Sequence, residues 1–437
     1  MTDQCGSRLY EREAAALAAV QRLRFFPLAV TGGDGCWLHE AGGRRLLDLS
    51  ATWSAAGLGY AHPAVVAAVA RAAGDMAGAG AGSVCNPESV GLAEELVATL
   101  PGAADRRVYL GHSGSDANEA VVRAIRRATG RRRLVAFHGS YHGGLAGSAQ
   151  FSGLMVDAGE PADPDLTLLD YPGAAPGTDL PAILARLDAV LGAPGGAAAL
   201  LVEPVMSDGG IVIPPAGFLR ELRDRCGRHG TLLLCDEVKV GLGRTGMLHA
   251  FAADGVEPDV VTFGKSLGGG LPLSAAVGPA EVMNVAEAFT MLTTAGNPVC
   301  AAAGRAVLRT ILAEDLPARA AATGEVFLRG LRELQGRHRC VSEVRGRGLV
   351  IGLELRGDAS ADGSSQPTLA AQVAYRAWEL GVVLFYVGPR ADVLEITPPL
   401  IISAQQVQQA IEIVDRAIGD AEAGQVDKDA VAAYSGW

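Results

Sequence analysis

Apolar residues fall into two patterns along this chain. Between about residues 60 and 282, short and nearly continuous runs of Val, Leu, Ala and Phe alternate with longer stretches whose apolar positions recur at helical spacing. The short runs predict strands at 107–110, 134–137, 166–169, 199–202, 231–235, 260–263 and 274–277. Continuous apolar strands set between helices belong to a mostly parallel sheet buried on both faces. After about residue 302 the pattern changes. A helical region is followed by strand segments at 344–355, 382–387 and 394–396 and by helices at 370–380 and 404–418. Residues 9–25 read as an amphipathic helix. The expected architecture is α/β, with a large domain over 60–302 built on a seven-stranded, mostly parallel sheet flanked by helices. A smaller α+β domain is expected over 303–437, completed by the N-terminal segment 1–59, with a surface loop at 357–366.

Composition narrows the function. The 437 residues carry 37 basic and 48 acidic side chains, a net charge of −11. That balance argues against nucleic acid or an anionic membrane surface as partner. No apolar run reaches the roughly 18 to 20 residues a membrane helix needs. Glu11, Arg12 and Glu13 stand where a signal peptide would be apolar. Seven cysteines without a CxxC pair predict free thiols and a cytoplasmic setting; no metal site is expected. Only Lys239, Lys265 and Lys428 supply lysine; every other basic residue is arginine. Where surface lysine is nearly absent, a lysine in an apolar setting draws attention to its chemistry. Lys239 and Lys265 sit in such settings, whereas Lys428, between Asp427 and Asp429, reads as a solvated charge.

Ligands of open parallel sheets bind beyond the carboxyl ends of the strands. There the sequence places Gly-His-Ser-Gly-Ser-Asp-Ala-Asn-Glu (111–119), His-Gly-Ser-Tyr-His-Gly (138–143), Glu-Pro-Val-Met-Ser-Asp-Gly-Gly (203–210), Asp-Glu-Val-Lys (236–239) and Gly-Lys-Ser (264–266). Two strings mislead. Residues 241–246 match GxGxxG, but only a short connection separates them from the next strand, and Asp236 and Lys239 precede them where apolar residues are expected. Residues 264–266 resemble the end of a P-loop whose first glycine would fall on Asp259.

The other residues form a coherent set. Lys265, partly desolvated, is an amine able to form an imine with a carbonyl group. Asp236 at a strand end and Val238 two residues on would face the same side. They offer a carboxylate for a pyridinium nitrogen and a flat apolar contact. Ser113, Gly114 and Ser115 open a helix expected at 116–128, where backbone N–H groups would cradle a phosphate. Tyr141 would stack on the other ring face. Together these fit pyridoxal 5'-phosphate (PLP), whose protonated ring is an electron sink. Each residue also has a plainer reading: a snorkelling lysine, an acid at a helix start, an N-cap serine, a core aromatic.

These strings resemble the class III aminotransferase family of PLP enzymes, of fold type I. The resemblance is carried, in order over nearly the whole chain, by 113–119, Tyr-His-Gly (141–143), Glu-Pro-Val (203–205), Asp-Glu-Val (236–238), Gly-Arg-Thr-Gly (243–246), Gly-Lys (264–265) and Gly-Asn-Pro (296–298). It implies PLP as cofactor, a small-molecule amino substrate and a homodimer with shared active sites. It also implies Glu203 among the cofactor-binding residues, Thr293 reaching the phosphate of the partner subunit's site, and the segment around Trp53 lining the pocket. Within the family, residues 23–29, 207–210, 235–242 and 268–275 are most similar to the α-amino-ε-caprolactam racemases.

Three positions depart from the transaminases of that family. Lys239 stands where they usually have glutamine, Ser207-Asp208 where they often have Gly-Glu, and Glu395 where many have an arginine for a substrate carboxylate. Transamination moves the Cα proton on one face, a task for Lys265 alone, whereas racemisation suits two acid/base groups. The expected function is a PLP-dependent racemase or epimerase acting at Cα of an amino acid, amino acid amide or amino-lactam. Its catalytic residues would be Lys265, Asp208 and Lys239, with Trp53, Tyr141, Asp208 and Glu395 at the substrate. The alternatives are a class III aminotransferase and a silent PLP-fold binding protein. Asp208 and Lys239 also read as an ion pair without a part in proton transfer, and Trp53 as a core residue.

Overall fold

The computed structural model describes residues 3–102, 105–175, 177–356 and 368–434; the loop expected at 357–366 lies outside them. The chain divides into two compact units, Pro63–Ala318 and the combination of Met1–His62 with Arg319–Trp437.

In the smaller unit, β1 (Val30–Asp34), β2 (Trp37–Glu40) and β3 (Arg45–Asp48) form an antiparallel meander that the apolar pattern does not predict. The strands are only four or five residues long and β1 carries two glycines, so no sustained alternation marks them. The helix expected at 9–25 runs only over Asp3–Ala16, followed by a short 3-10 turn at Ala19–Gln21. Leu17 and Val20 stay exposed, so no buried face extends the helix.

The larger unit holds β4 (Arg106–Gly111), β5 (Leu134–Phe137), β6 (Leu166–Leu169), β7 (Ala199–Val202), β8 (Leu232–Asp236), β9 (Val260–Phe263) and β10 (Ser274–Pro279). They form one seven-stranded sheet in the order β4-β10-β9-β8-β7-β5-β6. β6, β5, β7, β8 and β9 run parallel, and β10 is antiparallel to both its neighbours. β5, β7 and β9 are buried at every residue, which is why they read as nearly continuous apolar runs. The helix Gly114–Thr129 presents Ala117, Val121 and Ile125, one turn apart, to a core that includes Leu134, Leu201, Leu234 and Val260. It begins with a capping box between Ser113 and Asp116 and stops at Gly130, whose φ of 66° closes it. The expected domain boundary at 302 falls inside the helix Pro298–Ala313. That helix packs Ala302 on Ala68 and Ala72 and so is part of this unit.

The rest of the smaller unit carries β11 (Val341–Arg347), β12 (Val350–Leu355), β13 (Val382–Val383), β14 (Phe385–Val387) and β15 (Val393–Ile396). The segment expected as 344–355 is a hairpin. β13 pairs in parallel with β3, so the N-terminal segment and the C-terminal part share one sheet, and β11-β12-β15-β14 form a second. Directly after β3, residues Ala51 to Ser54 all have positive φ, between 43° and 67°. Such a left-handed turn of non-glycine residues costs about 1–2 kcal/mol per residue. Side-chain hydrogen bonds hold it in place. Asp48 Oδ1 accepts from Ser50 Oγ at 2.7 Å, Ser50 Oγ accepts from Thr52 N at 3.1 Å, and Tyr60 OH donates to Asp48 Oδ2 at 2.6 Å and lies 2.9 Å from Thr52 Oγ1. Among the described residues no helix is long and apolar enough to cross a membrane.

Candidate active site

Because β4, β5, β7, β8 and β9 point the same way, their carboxyl ends share one edge of the sheet, and Ser274 at the start of β10 pairs with Gly111 at the end of β4. Asp116 fixes the loop after β4. Its Oδ2 accepts from the backbone N of His112 (2.9 Å) and Ser113 (3.2 Å), and its Oδ1 accepts from Ser274 Oγ (2.9 Å). This sets the Ser113–Ser115 backbone at the positive end of a sixteen-residue helix. A Cβ at Gly114 would lie 2.7 Å from Val238 Cγ1, and one at Gly264 would lie 3.1 Å from the same atom. The cup admits no side chain at Gly114.

Asp236 ends β8 and is buried. Its Oδ2 accepts from Asn118 Nδ2 at 2.8 Å and lies 2.9 Å from His142 Nδ1, while its Oδ1 accepts from the backbone N of Val238 at 3.0 Å. Asn118 also donates to the His142 carbonyl at 2.8 Å. The expectation that Asp236 and Val238 share a side through strand periodicity is corrected here. The strand stops at Asp236, and a turn closed by that same carboxylate sets Val238 against Gly114 and Gly264.

Lys265 follows β9, half-buried, with a φ of 44°. A non-glycine residue held in the left-handed region is strain of the kind that collects at functional sites. Lys239 and Asp208 form an ion pair at 2.5 Å, with side chains 5% and 7% exposed. Burial alone would raise the Asp208 pKa, but the charges of Lys239 and Lys265 outweigh it and hold the carboxyl below the ordinary range. Burial, and then Asp208, push the Tyr141 phenol up, against a lowering by Lys239. The fields of these groups therefore overlap. Asp208 sits in a closed turn in which Met206 and Val212 exchange backbone hydrogen bonds of 3.2 and 2.7 Å.

The remaining expected residues fall in different places. Glu203 is buried at the end of β7 with its oxygens engaged. Oε1 accepts from Tyr141 N (2.9 Å), and Oε2 accepts from Ser207 N (3.2 Å) and Ser207 Oγ (2.9 Å). Burial, first of all, pushes its pKa up to about 7. Thr293 is exposed, beside Thr294, whose Oγ1 lies 2.9 Å from His112 Nε2. In the smaller unit, Trp53 stands in the left-handed turn, its ring 4.8 Å from that of Phe385 and 5.8 Å from that of Phe25. Glu395 lies in β15, 1% exposed, where its Oε1 accepts from Thr397 Oγ1 at 3.0 Å. Thr397 Oγ1 is also 3.2 Å from the Ser50 carbonyl. Sequence reasoning assigned no role to Asn118, His142 or Ser207. Asn118 was within reach, since it lies one helical turn after Gly114 and hence above the cup.

The arrangement fits a flat heteroaromatic ring bearing a phosphate. It offers a helix start with no room for side chains, an apolar Val238 beside it, a buried carboxylate braced on one oxygen by two side chains, and an amine at the next strand end. The aminotransferase class-III family matches residues 18–418. The chain is 33% identical to an alanine/serine racemase of Pyrococcus horikoshii over 97% of its own length and 92% of that protein's. It is 37% identical to the acetylornithine aminotransferase of Mycobacterium tuberculosis over 90% of its length and 93% of that protein's. Among solved structures it is similar to the Toxoplasma gondii ornithine aminotransferase, reported with PLP at its active site, with a TM-score of 0.85, 25% identity and coverage of 96% and 95%. A fold-type-I sheet, a site shaped for PLP and a match over most of the sequence place this chain in the class III aminotransferase family of PLP-dependent enzymes.

Proposed function

We propose that this enzyme is a racemase or epimerase acting at Cα of an amino acid, amino acid amide or amino-lactam. The observation that carries the reading is the buried Asp208–Lys239 pair, whose carboxylate senses Lys265. In this reading PLP is held by the backbone at Ser113, Gly114 and Ser115, by Asp236 at the ring nitrogen, and between Tyr141 and Val238. When bound, PLP supplies a sink for the electron pair left at Cα as its proton departs.

The chain's own residues then move one proton. Lys265 Nζ takes it from, or returns it to, one face of Cα, and Asp208 serves the other. Lys239 keeps Asp208 ionised and so able to accept a proton. Trp53 walls the substrate pocket. Glu395 contributes through Thr397, which touches the turn that carries Trp53. Thr293 serves the phosphate of the partner subunit in a homodimer.

The test is to incubate each enantiomer of alanine, an amino acid amide and an amino-lactam with the holoenzyme in D₂O without a keto acid. Loss of optical activity with deuterium at Cα is expected, and Lys265→Ala should abolish both. Retained chirality without exchange for every compound would refute the racemase. The second reading, an aminotransferase, is favoured by the acetylornithine aminotransferase at 37% identity. It predicts turnover only when a keto acid or aldehyde acceptor is added.

A further inference from the structure

Glu203 is marked by its sequence context as a cofactor residue, but its three hydrogen bonds go elsewhere. Oε1 accepts from the amide of Tyr141, in the loop after β5. Oε2 accepts from the amide and the hydroxyl of Ser207, in the turn after β7. Ser207 is the immediate neighbour of Asp208. The same two loops meet backbone to backbone: a Cβ on Gly209 would lie 2.6 Å from the Gly139 carbonyl oxygen. The turn around Asp208 is closed by the Met206–Val212 pairing and by Ile211 N donating to Ser207 O at 2.8 Å. Moving Ser207 therefore moves Asp208.

We infer that Glu203 is a positioning residue that clips the Tyr141 loop to the Asp208 turn and thereby sets how well Asp208, relative to Lys265, transfers the substrate proton. The inference rests on the two-carrier reading proposed above. It needs an acceptor on both oxygens at once. A carboxylate provides that and an amide does not, because an amide nitrogen would face either the Tyr141 or the Ser207 N–H. Buried donors left unpaired loosen the loop, and a displacement of about 1 Å at a catalytic group costs on the order of a hundredfold in rate. The groups facing Glu203 are His142, which favours its charged form, and Asp208 and Asp236, which oppose it.

The experiment compares holoenzyme with its Glu203→Gln variant by two readouts. In amide hydrogen exchange, Tyr141 and Ser207 should exchange at least about tenfold faster in the variant, while β7 is unchanged. Unaltered amides would overturn the inference. In D₂O, with the two substrate enantiomers assayed separately, Cα exchange should fall unequally, about tenfold or more further for one enantiomer than for the other. An equal fall for both would overturn it. A parent enzyme that exchanges neither enantiomer would sink the racemase reading alone, and the amide readout would then decide the clip. If Glu203→Gln does not fold, Ser207→Ala keeps the carboxylate and removes one bond. The same changes are then expected at about threefold, and their absence counts against the clip.

Discussion

Replacing Lys239 by glutamine removes one partner of a buried ion pair. At 2.5 Å, and with an effective dielectric of about 20, two unit charges attract by about 7 kcal/mol. Desolvation of both ions offsets most of that. The measurable quantity is what remains when a single partner goes, about 3–5 kcal/mol, because the other charge stays buried alone. Urea unfolding of the holoenzyme at neutral pH should show Lys239→Gln destabilised by about 3 kcal/mol. The double variant Asp208→Asn/Lys239→Gln should be less destabilised than the sum of its parts. The pH dependence has a definite sign. The folded Asp208 carboxyl lies below its ordinary value, so the stability it contributes is present above the ordinary carboxylate range, near about 4, and is lost as pH falls through its folded value. Lys239→Gln should flatten that acid limb. It should also shift the acid limb of the Cα-exchange profile upward, as Asp208 becomes harder to ionise. Single variants within about 0.5 kcal/mol of the parent, an additive double variant and an unmoved pH profile would together refute the reasoning.

Other perturbations test other parts. Gly114→Ala puts a methyl 2.7 Å from Val238 Cγ1; titration of apoenzyme with PLP should show affinity weakened by about tenfold or more, and normal affinity would disprove the tight cup. Tyr60→Phe leaves a buried Asp48 oxygen without its 2.6 Å donor. It should cost about 2 kcal/mol in urea unfolding. His338 lies 2.7 Å from both Asp415 Oδ1 and Glu422 Oε2. Burial opposes its charge, but the two carboxylates outweigh this and raise its pKa, while His338 holds Glu422 low against burial. The stability from His338 is full below about 6.5 and is lost as pH rises through its folded pKa. The stability from Glu422 is present above about 4.3 and is lost as pH falls through its folded value. His338→Gln should therefore lose up to about 1 kcal/mol at pH 5.5 and little at pH 9, measured by urea unfolding.

The centre of the larger sheet was legible because β5, β7 and β9 are buried at every residue. Such burial leaves a nearly continuous apolar run, while β4 and β6, only partly buried, still show short Val- and Leu-rich runs between helices. The meander β1–β3 was not legible, since strands of four or five residues, one of them carrying two glycines, offer neither an apolar run nor a clear alternation. The helix Pro298–Ala313 packs Ala302 on Ala68 and Ala72 and so lies in the larger unit, a pairing that no spacing along the chain announces.

In the site, the sequence alone identified the residue types and the strand ends on which they sit: Ser113 to Ser115, Asp236, Lys265, and the pair Asp208 and Lys239. Those assignments follow from local chemistry and from the rule that parallel strands deliver their carboxyl ends to one edge. Tertiary structure alone decided the pairings. Strand periodicity implied a Val238 beside Asp236, yet a turn closed by the Asp236 carboxylate places it. Glu395 looked like a substrate contact from its place in a motif, and it is a buried acid bonded to Thr397. Glu203 looked like a cofactor ligand, and its oxygens bridge two loops 62 and 4 residues away in the chain. The Glu203–Tyr141 bond joins segments 62 residues apart, and the closer pairs depend on which turn the backbone makes; both rest on distances of about 3 Å that no spacing along the sequence encodes.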